Sequence, residues 1–205
     1  SKNLDTYTMD IVYNDNYTLD VTQTVDYTNR SKDNLDSIMF HLYPRSFRQE
    51  SKSSVVSTLN YSKCYYNGPS FGDLQITALS VDGKDTEIRL SGNDDDILEV
   101  SLIESLEPNK DTTIKMSYTV TLPNINHRFG YGENTINLGN FYPIACVYED
   151  GEFCIASYHY NGDPFYSVVA NYNVSITANN TLKLASSGNL IKTENNDNTN
   201  TYNKY

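Results

Sequence analysis

Metal binding and proton transfer by this chain would depend first on its three histidines. His41, His127 and His159 each stand alone, without the spacing of an H-E-x-x-H or H-x-H pair. Such pairs supply most of the ligands of a catalytic zinc, so the sequence predicts no metal site and no catalytic residue in this chain. The acidic run at 94–96 could hold calcium, but three acids beside a glycine are more typical of a solvated turn.

Thiol chemistry is limited to Cys64, Cys146 and Cys154, and no two of them form a C-x-x-C pair. The Asp-Gly pair at 150–151 predicts a tight hairpin between the last two cysteines. A two-residue loop would pair Val147 with Cys154 and place the two thiols on opposite faces, whereas a three-residue loop would place them diagonally on one face. Neither register favours a disulfide, so we expect free thiols.

The composition narrows the class of partner. The 205 residues include 26 acidic and 15 basic side chains, which gives a net charge of -11. Phosphate binding needs a basic face, so nucleic acid is excluded as a partner. No run approaches the roughly 18 apolar residues of a membrane helix, so no membrane span is predicted. Eighteen tyrosines without a tryptophan, with many Asn and Thr, favour strands and turns.

Alternation of apolar and polar residues dominates the chain and predicts antiparallel strands with one face in water. Turn signals such as those at 14–16, 81–84, 92–94, 150–151 and 161–164 separate the runs. The prediction is an all-β fold, built as a large curved antiparallel sheet or a β-sandwich. Its clearest runs place on one face Tyr7, Met9, Ile11 and Tyr13; Tyr17, Leu19, Val21, Val25 and Tyr27; Ile114, Met116, Tyr118, Val120 and Leu122; and Tyr172, Val174 and Ile176.

The chain reads as one domain over residues 1–205 with a single interruption. Residues 45–73 are polar, rich in Ser and too long for a hairpin loop, so we expect an excursion over the surface with a helical turn. At the other end, residues 201–205 look like the start of a strand. We therefore expect a piece of a longer protein, cut before a further domain.

Four regions resemble, in order, the N-terminal domain of bacterial M1-family zinc metallopeptidases, the aminopeptidase N and leukotriene A4 hydrolase type. The resemblance spans about residues 5–190. It is carried by I-M-F-H-L-Y-P at 38–44, G-D-L-Q-I at 72–76, R-F-G-Y at 128–131 followed by N-L-G-N-F-Y-P at 137–143, and G-D-P-F-Y at 162–166 followed by A-N-Y-N-V-S-I at 170–176.

The resemblance implies a saddle-shaped all-β domain that is not itself catalytic. The zinc-binding H-E-x-x-H and a distal glutamate would lie in a following catalytic domain, so this chain would hold no cofactor and the complete protein would hold zinc. Without the metal that activates water, the chain alone should hydrolyse nothing. Its partners would be its own catalytic domain and, through that domain, a peptide substrate.

In the family this domain lends polar side chains, usually Gln or Glu, to hold the amino terminus of the substrate. The matching region here departs from that pattern and offers Glu133, Asn137 and Asn140. An amide or carboxylate oxygen can accept a hydrogen bond from an ammonium group, which makes these three residues the predicted anchoring site. We also expect an exposed apolar face near residues 137–143, where the catalytic domain would pack.

Two other functions are compatible with the sequence. The chain could be a stand-alone extracellular β-sandwich that binds protein or carbohydrate through exposed tyrosines. It could also be an M1-like scaffold that has lost its zinc and its activity. The odd number of cysteines favours a reducing cytoplasm. The low Cys content, the surface rich in Asn, Thr and Tyr and the bacterial branch that the sequence resembles together favour a bacterial cell envelope or secreted location, which is our expectation.

Overall fold

The computed structural model describes residues 4–196 and 199–204. Over these residues the fold is almost entirely β, as predicted. No helix in the described part of the chain is long and apolar enough to cross a membrane. The strands are β1 (Thr6–Asn14), β2 (Thr18–Thr28), β3 (Leu35–His41), β4 (Asp73–Val81), β5 (Lys84–Asp85), β6 (Arg89–Ser91), β7 (Ile97–Leu106), β8 (Asp111–Thr121), β9 (Phe129–Tyr131), β10 (Ile136–Leu138), β11 (Ile144–Ala145), β12 (Tyr148–Glu149), β13 (Glu152–Phe153), β14 (Asn171–Asn179), β15 (Leu190–Asn196) and β16 (Thr199–Lys204).

Eight strands form a large sheet in the order β15-β16-β14-β1-β2-β8-β4-β5. Its centre comes from the sequences with the clearest alternation, since β1, β2 and β8 pair along their whole lengths. One pairing differs from the prediction of an antiparallel sheet. Strand β14 runs parallel to β1, with Met9 opposite Val174 and Ile11 opposite Ile176. Alternation shows which face a residue takes but carries no information on strand direction, so the mixed sheet could not be predicted.

The core lies between this sheet and a second sheet of order β11-β3-β7-β6. Ile38 and Phe40 of β3 and Leu98 and Val100 of β7 are completely buried. They belong to the same apolar cluster as the inward residues of β1, β2 and β8. Two two-stranded ribbons, β9–β10 and β12–β13, lie outside these sheets.

Residues 45–73 carry short helical turns, namely 3-10 helices at Tyr43–Phe47 and Thr58–Asn60 and one α-helical turn at Tyr61–Cys64. The acidic run at 94–96 fixes this segment, because the Asp94 carboxylate accepts hydrogen bonds from the backbone amides of Lys52 at 2.6 Å and Ser53 at 3.1 Å. Asp94 and Asp96 are both 3% exposed. The prediction of a solvated turn is therefore wrong for Asp94, whose carboxylate replaces water with backbone donors, and for Asp96, which is buried.

The hairpin at 150–151 has a two-residue loop. Tyr148 pairs with Phe153 and Glu149 with Glu152, and the backbone amide of Cys154 donates to the carbonyl of Val147 at 2.8 Å. Both loop residues have positive φ, 52° and 88°, as the tight hairpin turn requires. The three cysteines are free, as predicted.

Candidate functional site

The β9–β10 ribbon carries the predicted anchoring residues. Asn137 lies opposite Gly130 in the ribbon, and its side-chain nitrogen donates to the backbone carbonyl of His127 at 2.9 Å. This bond orients the half-buried Asn137 side chain and assigns its NH₂ group a structural role. The amide oxygen is the atom that remains for a ligand, because a carboxamide has separate donor and acceptor ends.

Asn140 and Glu133 lie at opposite ends of the ribbon. Asn140 follows β10 in the left-handed backbone conformation, with φ of 53°, next to Gly139, whose amide donates to the Arg128 carbonyl at 2.8 Å. Glu133 is exposed in the loop that joins β9 to β10. The structure therefore brings Asn137 and Asn140 to one end with Arg128, and it does not bring Glu133 to them.

Arg128 is a residue of this surface to which the sequence assigned no role. Its guanidinium lies 5.1 Å from the centre of the Phe165 ring and 3.9 Å from a carboxylate oxygen of Asp163. Tyr43 approaches the same ring edge-on at 4.7 Å and donates its hydroxyl to the Pro164 carbonyl at 3.4 Å. The R-F-G-Y and G-D-P-F-Y sequences thus meet in space, although Arg128 and Asp163 are 35 positions apart in the sequence.

Residues 155–169, which we call the apolar stretch, form the main exposed apolar surface beside Arg128. They contain neither strand nor helix. Five large apolar or aromatic side chains in the stretch are between 45% and 76% exposed: Ile155, Tyr160, Tyr166, Val168 and Val169. The prediction placed such a face near 137–143, and that position is wrong, because every residue from 137 to 143 is buried or half-buried.

The burial of residues 137–143 has a physical cause. Phe141 enters the core, and the carbonyl of Pro143 accepts a hydrogen bond at 2.9 Å from the side chain of Gln23, which is completely buried in the large sheet. Because these contacts draw the segment inward, it has no exposed apolar face, and its apolar side chains Leu138, Phe141 and Tyr142 line a cavity on the large sheet instead. The exposed apolar surface falls instead on the apolar stretch, about twenty residues later.

A small indentation among Asn140, Arg128, Tyr158 and Phe165 has a cavity volume of about 10 Å³, which is too small for a peptide. A much larger cavity, about 710 Å³, lies on the large sheet. It is lined mainly by apolar side chains of β1, β10 and β14 and by residues 184–189, without an acidic, basic, histidine or cysteine side chain. Its ionisable side chains are the phenols of Tyr142 and Tyr172 alone.

The described residues contain no group of three His, Cys, Asp or Glu side chains that could hold a metal ion. Two histidines have lowered pKa values for other reasons. Burial lowers the pKa of His41, against the opposing effect of Asp96. Burial and the neighbouring charge of Arg128 lower the pKa of His127. Both shifts favour the neutral imidazole in the folded chain.

These shifts predict that the chain loses stability on mild acidification. A histidine whose folded pKa lies below 6.5 binds protons more readily when unfolded, so its contribution is complete above pH 6.5 and is lost as the pH falls through that value. Burial raises the pKa of Asp5, so protonation of this carboxyl at lower pH favours the folded chain and opposes the effect of the histidines. We expect His41→Gln to flatten the dependence by up to about 1 kcal/mol between pH 7.5 and 5.5. Urea unfolding of the original chain and of the variant at the two pH values measures this. An equal change in the free energy of unfolding with pH in both proteins would contradict it.

Comparison with known proteins gives a likeness of fold. No family model and no curated protein matches the sequence. Among solved structures, a mutant M1 zinc metallopeptidase from Deinococcus radiodurans is 15% identical with a TM-score of 0.55, over 98% of this chain and 38% of that chain. A mutant two-domain M1 zinc metallopeptidase bound to L-tryptophan is 14% identical with a TM-score of 0.54 over the same shares. Legionella pneumophila aminopeptidase A in complex with aspartic acid is 15% identical with a TM-score of 0.51, over 100% of this chain and 20% of that chain.

The chain thus has the all-β fold found in part of M1 zinc metallopeptidase structures, consistent with an N-terminal domain. The predicted resemblance is confirmed at the level of the fold. The chain spans between 20% and 38% of the length of these structures. What the rest of such proteins does is therefore a matter for proposal.

Proposed function

We propose that this chain is the non-catalytic N-terminal domain of a zinc aminopeptidase-like metallopeptidase, and that it packs on a catalytic domain and shapes the substrate cleft. The observation that carries the proposal is the apolar stretch. Exposed Val, Ile and Tyr concentrated in fifteen residues beside a polar rim are typical of a surface that another protein or domain covers.

The apolar stretch is held in place rather than loosely attached. Phe165, near its middle, is clamped between the Tyr43 ring and the Arg128 guanidinium. The hydroxyl of Tyr166 also donates to the Glu149 carboxylate at 3.1 Å. A surface fixed in this way presents its side chains at defined positions, which lowers the entropic cost of docking.

In this proposal zinc belongs to the catalytic domain, and the chain contributes hydrogen-bond acceptors to the cleft. Asn140 and Asn137 lie together at the end of the ribbon beside Arg128 and the apolar stretch, which supports a role at the domain boundary. The geometry gives less support to Glu133, at the other end of the ribbon. We further propose that the complete protein acts outside the cytoplasmic membrane of a bacterium, as its low Cys content and its surface rich in Asn and Tyr suggest.

Replacing Asn140 tests the anchoring role. Glycine adopts a φ of 53° without strain, so Asn140→Gly removes the carboxamide and preserves the backbone, which Asn140→Ala would not. We expect kcat/KM of the complete protein on aminoacyl substrates to fall about tenfold, the effect of losing one hydrogen bond to a charged group. Asn16→Gly, in the exposed β1–β2 turn, is the control. Unchanged kinetics in Asn140→Gly would remove Asn140 from the site.

The proposed function itself is tested by expressing the complete reading frame that encodes this chain. The complete protein should contain one zinc per molecule by metal analysis and should release amino acids from aminoacyl p-nitroanilides. The activity should be lost with a chelator and restored by zinc, while the isolated chain should be inactive. A complete protein without zinc but with the same fold would instead be an M1-like binding or assembly protein.

A further inference from the structure

Four tyrosines from three separate parts of the chain meet at one end of the molecule, away from the apolar stretch in sequence. We call Tyr13, Tyr17, Tyr66 and Tyr131 the tyrosine platform. The rings of Tyr17 and Tyr131 stack face to face, with centres 3.6 Å apart and planes 4° from parallel. Burial raises the pKa of Tyr13 and of Tyr131. Tyr13 lies close enough to Tyr17 and Tyr131 for both to contribute to its raised pKa, and Tyr66 contributes in the same way to the raised pKa of Tyr131. Tyr17 is 37% exposed and Tyr66 is 44% exposed, so aromatic surface remains open to solvent.

The backbone on both sides of Tyr17 fixes its ring. Tyr17 has a φ of 62°, which a bulky residue rarely adopts. Its amide donates to the Asn14 carbonyl at 3.0 Å, and its own carbonyl accepts from the amide of Leu122 at 3.0 Å. The adjacent turn is held by the Asn14 side chain, which donates to Thr18 and to Asp20. These bonds fix the backbone at Tyr17, and the stack with Tyr131 positions its ring.

Carboxamides edge the platform. The side-chain nitrogen of Asn124 lies 3.2 Å from the carbonyl of Tyr131 and 3.5 Å from the hydroxyl of Tyr66. Asn67, which is exposed, donates to the Asn124 oxygen at 3.0 Å. Open rings and oriented amide and hydroxyl groups thus occur side by side on one surface.

We propose that the tyrosine platform is a binding site for a neutral carbohydrate. The C–H faces of a sugar ring pack on aromatic rings, and its hydroxyls exchange hydrogen bonds with carboxamides and phenols. Burial and the neighbouring Tyr17 raise the pKa of Tyr13 to about 12, so its hydroxyl keeps its proton and can donate at neutral pH. This site is independent of the proposed docking function.

The chemistry of the surroundings selects a neutral sugar over other ligands. The platform presents aromatic rings beside carboxamide and hydroxyl groups, a combination that suits a sugar, which has C–H faces and hydroxyls, better than an aliphatic protein surface. Asp15, Asp20 and Glu133 lie on the adjoining β1–β2 turn, strand β2 and β9–β10 loop, and the chain carries a net charge of -11. This charge disfavours an anionic ligand such as a phosphorylated or uronic saccharide.

The test is a nitrogen–proton NMR titration of the chain with two probes, N,N′,N″-triacetylchitotriose and cellohexaose. We expect at least one probe to produce saturable shifts at residues 17, 66 and 131. Tyr66→Ala should weaken that binding about tenfold, the effect of losing one stacked ring. Tyr166→Ala is the matched control, since Tyr166 is 51% exposed but lies in the apolar stretch.

Both variants should keep the dispersed spectrum of the folded chain, because they alter exposed side chains. Tyr17→Phe provides a second variant that preserves stacking and removes one hydroxyl, and it should bind more tightly than Tyr17→Ala. The proposal is overturned if neither sugar shifts the platform residues, or if Tyr166→Ala weakens binding as much as Tyr66→Ala. It is also overturned if another domain buries the platform in the complete protein and neither sugar shifts the signals of the platform residues there.

Discussion

Gly130→Ala is expected to lower the free energy of unfolding by roughly 3 kcal/mol. Gly130 has a φ of 136°, and a Cβ there would lie 2.5 Å from Cγ2 of Ile125 and 2.7 Å from the carbonyl oxygen of Pro123. The second contact is with backbone, which cannot move aside without opening the β9–β10 ribbon. The substitution should therefore also disturb Asn137, which pairs with Gly130. Denaturant unfolding measures the loss.

Gly83→Ala separates the clash from the backbone strain. Gly83 also has a positive φ, 78°, but a Cβ there would have no atom within 4 Å. Its cost should be limited to the conformational penalty, about 1 kcal/mol. Equal losses for the two variants would show that the ribbon is not packed against residues 123–125 as described.

Gln23→Leu is expected to destabilise the chain by about 3 kcal/mol, because it leaves two buried polar groups without partners. The Gln23 side chain accepts a hydrogen bond from the Tyr118 hydroxyl at 2.8 Å and donates to the Pro143 carbonyl at 2.9 Å. Gln23 is completely buried and Tyr118 is 1% exposed. The measurement is chemical unfolding followed by circular dichroism.

A double-mutant cycle distinguishes loss of these bonds from poor packing. Tyr118→Phe combined with Gln23→Leu removes both ends of one bond, so the double variant should be about 1–2 kcal/mol more stable than the sum of the single effects predicts. Strict additivity would mean that Tyr118 and Gln23 do not interact.

The same residue illustrates how far the sequence determines the fold. Alternation correctly located the central strands, since Leu19, Val21 and Val25 all face the core from β2. Gln23 occupies the same face, and nothing local explains a polar residue there. Its partners lie 95 and 120 positions away, so its role depends on tertiary contacts that a local pattern does not contain. The parallel direction of β14 was missed for the same reason.

The candidate site was predictable only in part. The resemblance drew attention to residues 133–143, and the structure gathers Asn137 and Asn140 with Arg128. The resemblance did not show that residues 137–143 would be drawn inward or that exposed apolar side chains would lie at 155–169. The apolar residues there, such as Val168 and Val169, resemble strand residues in sequence. The structure places them outside any strand, with Val168 46% and Val169 76% exposed.

The most direct test of the proposed docking role is amide hydrogen exchange in residues 155–169, measured in the isolated chain and in the complete protein. We expect exchange in the apolar stretch to slow about tenfold or more in the complete protein, while exchange in the exposed strand β15 stays unchanged. Equal and rapid exchange of the apolar stretch in both proteins would mean that no domain covers it, and would contradict the account.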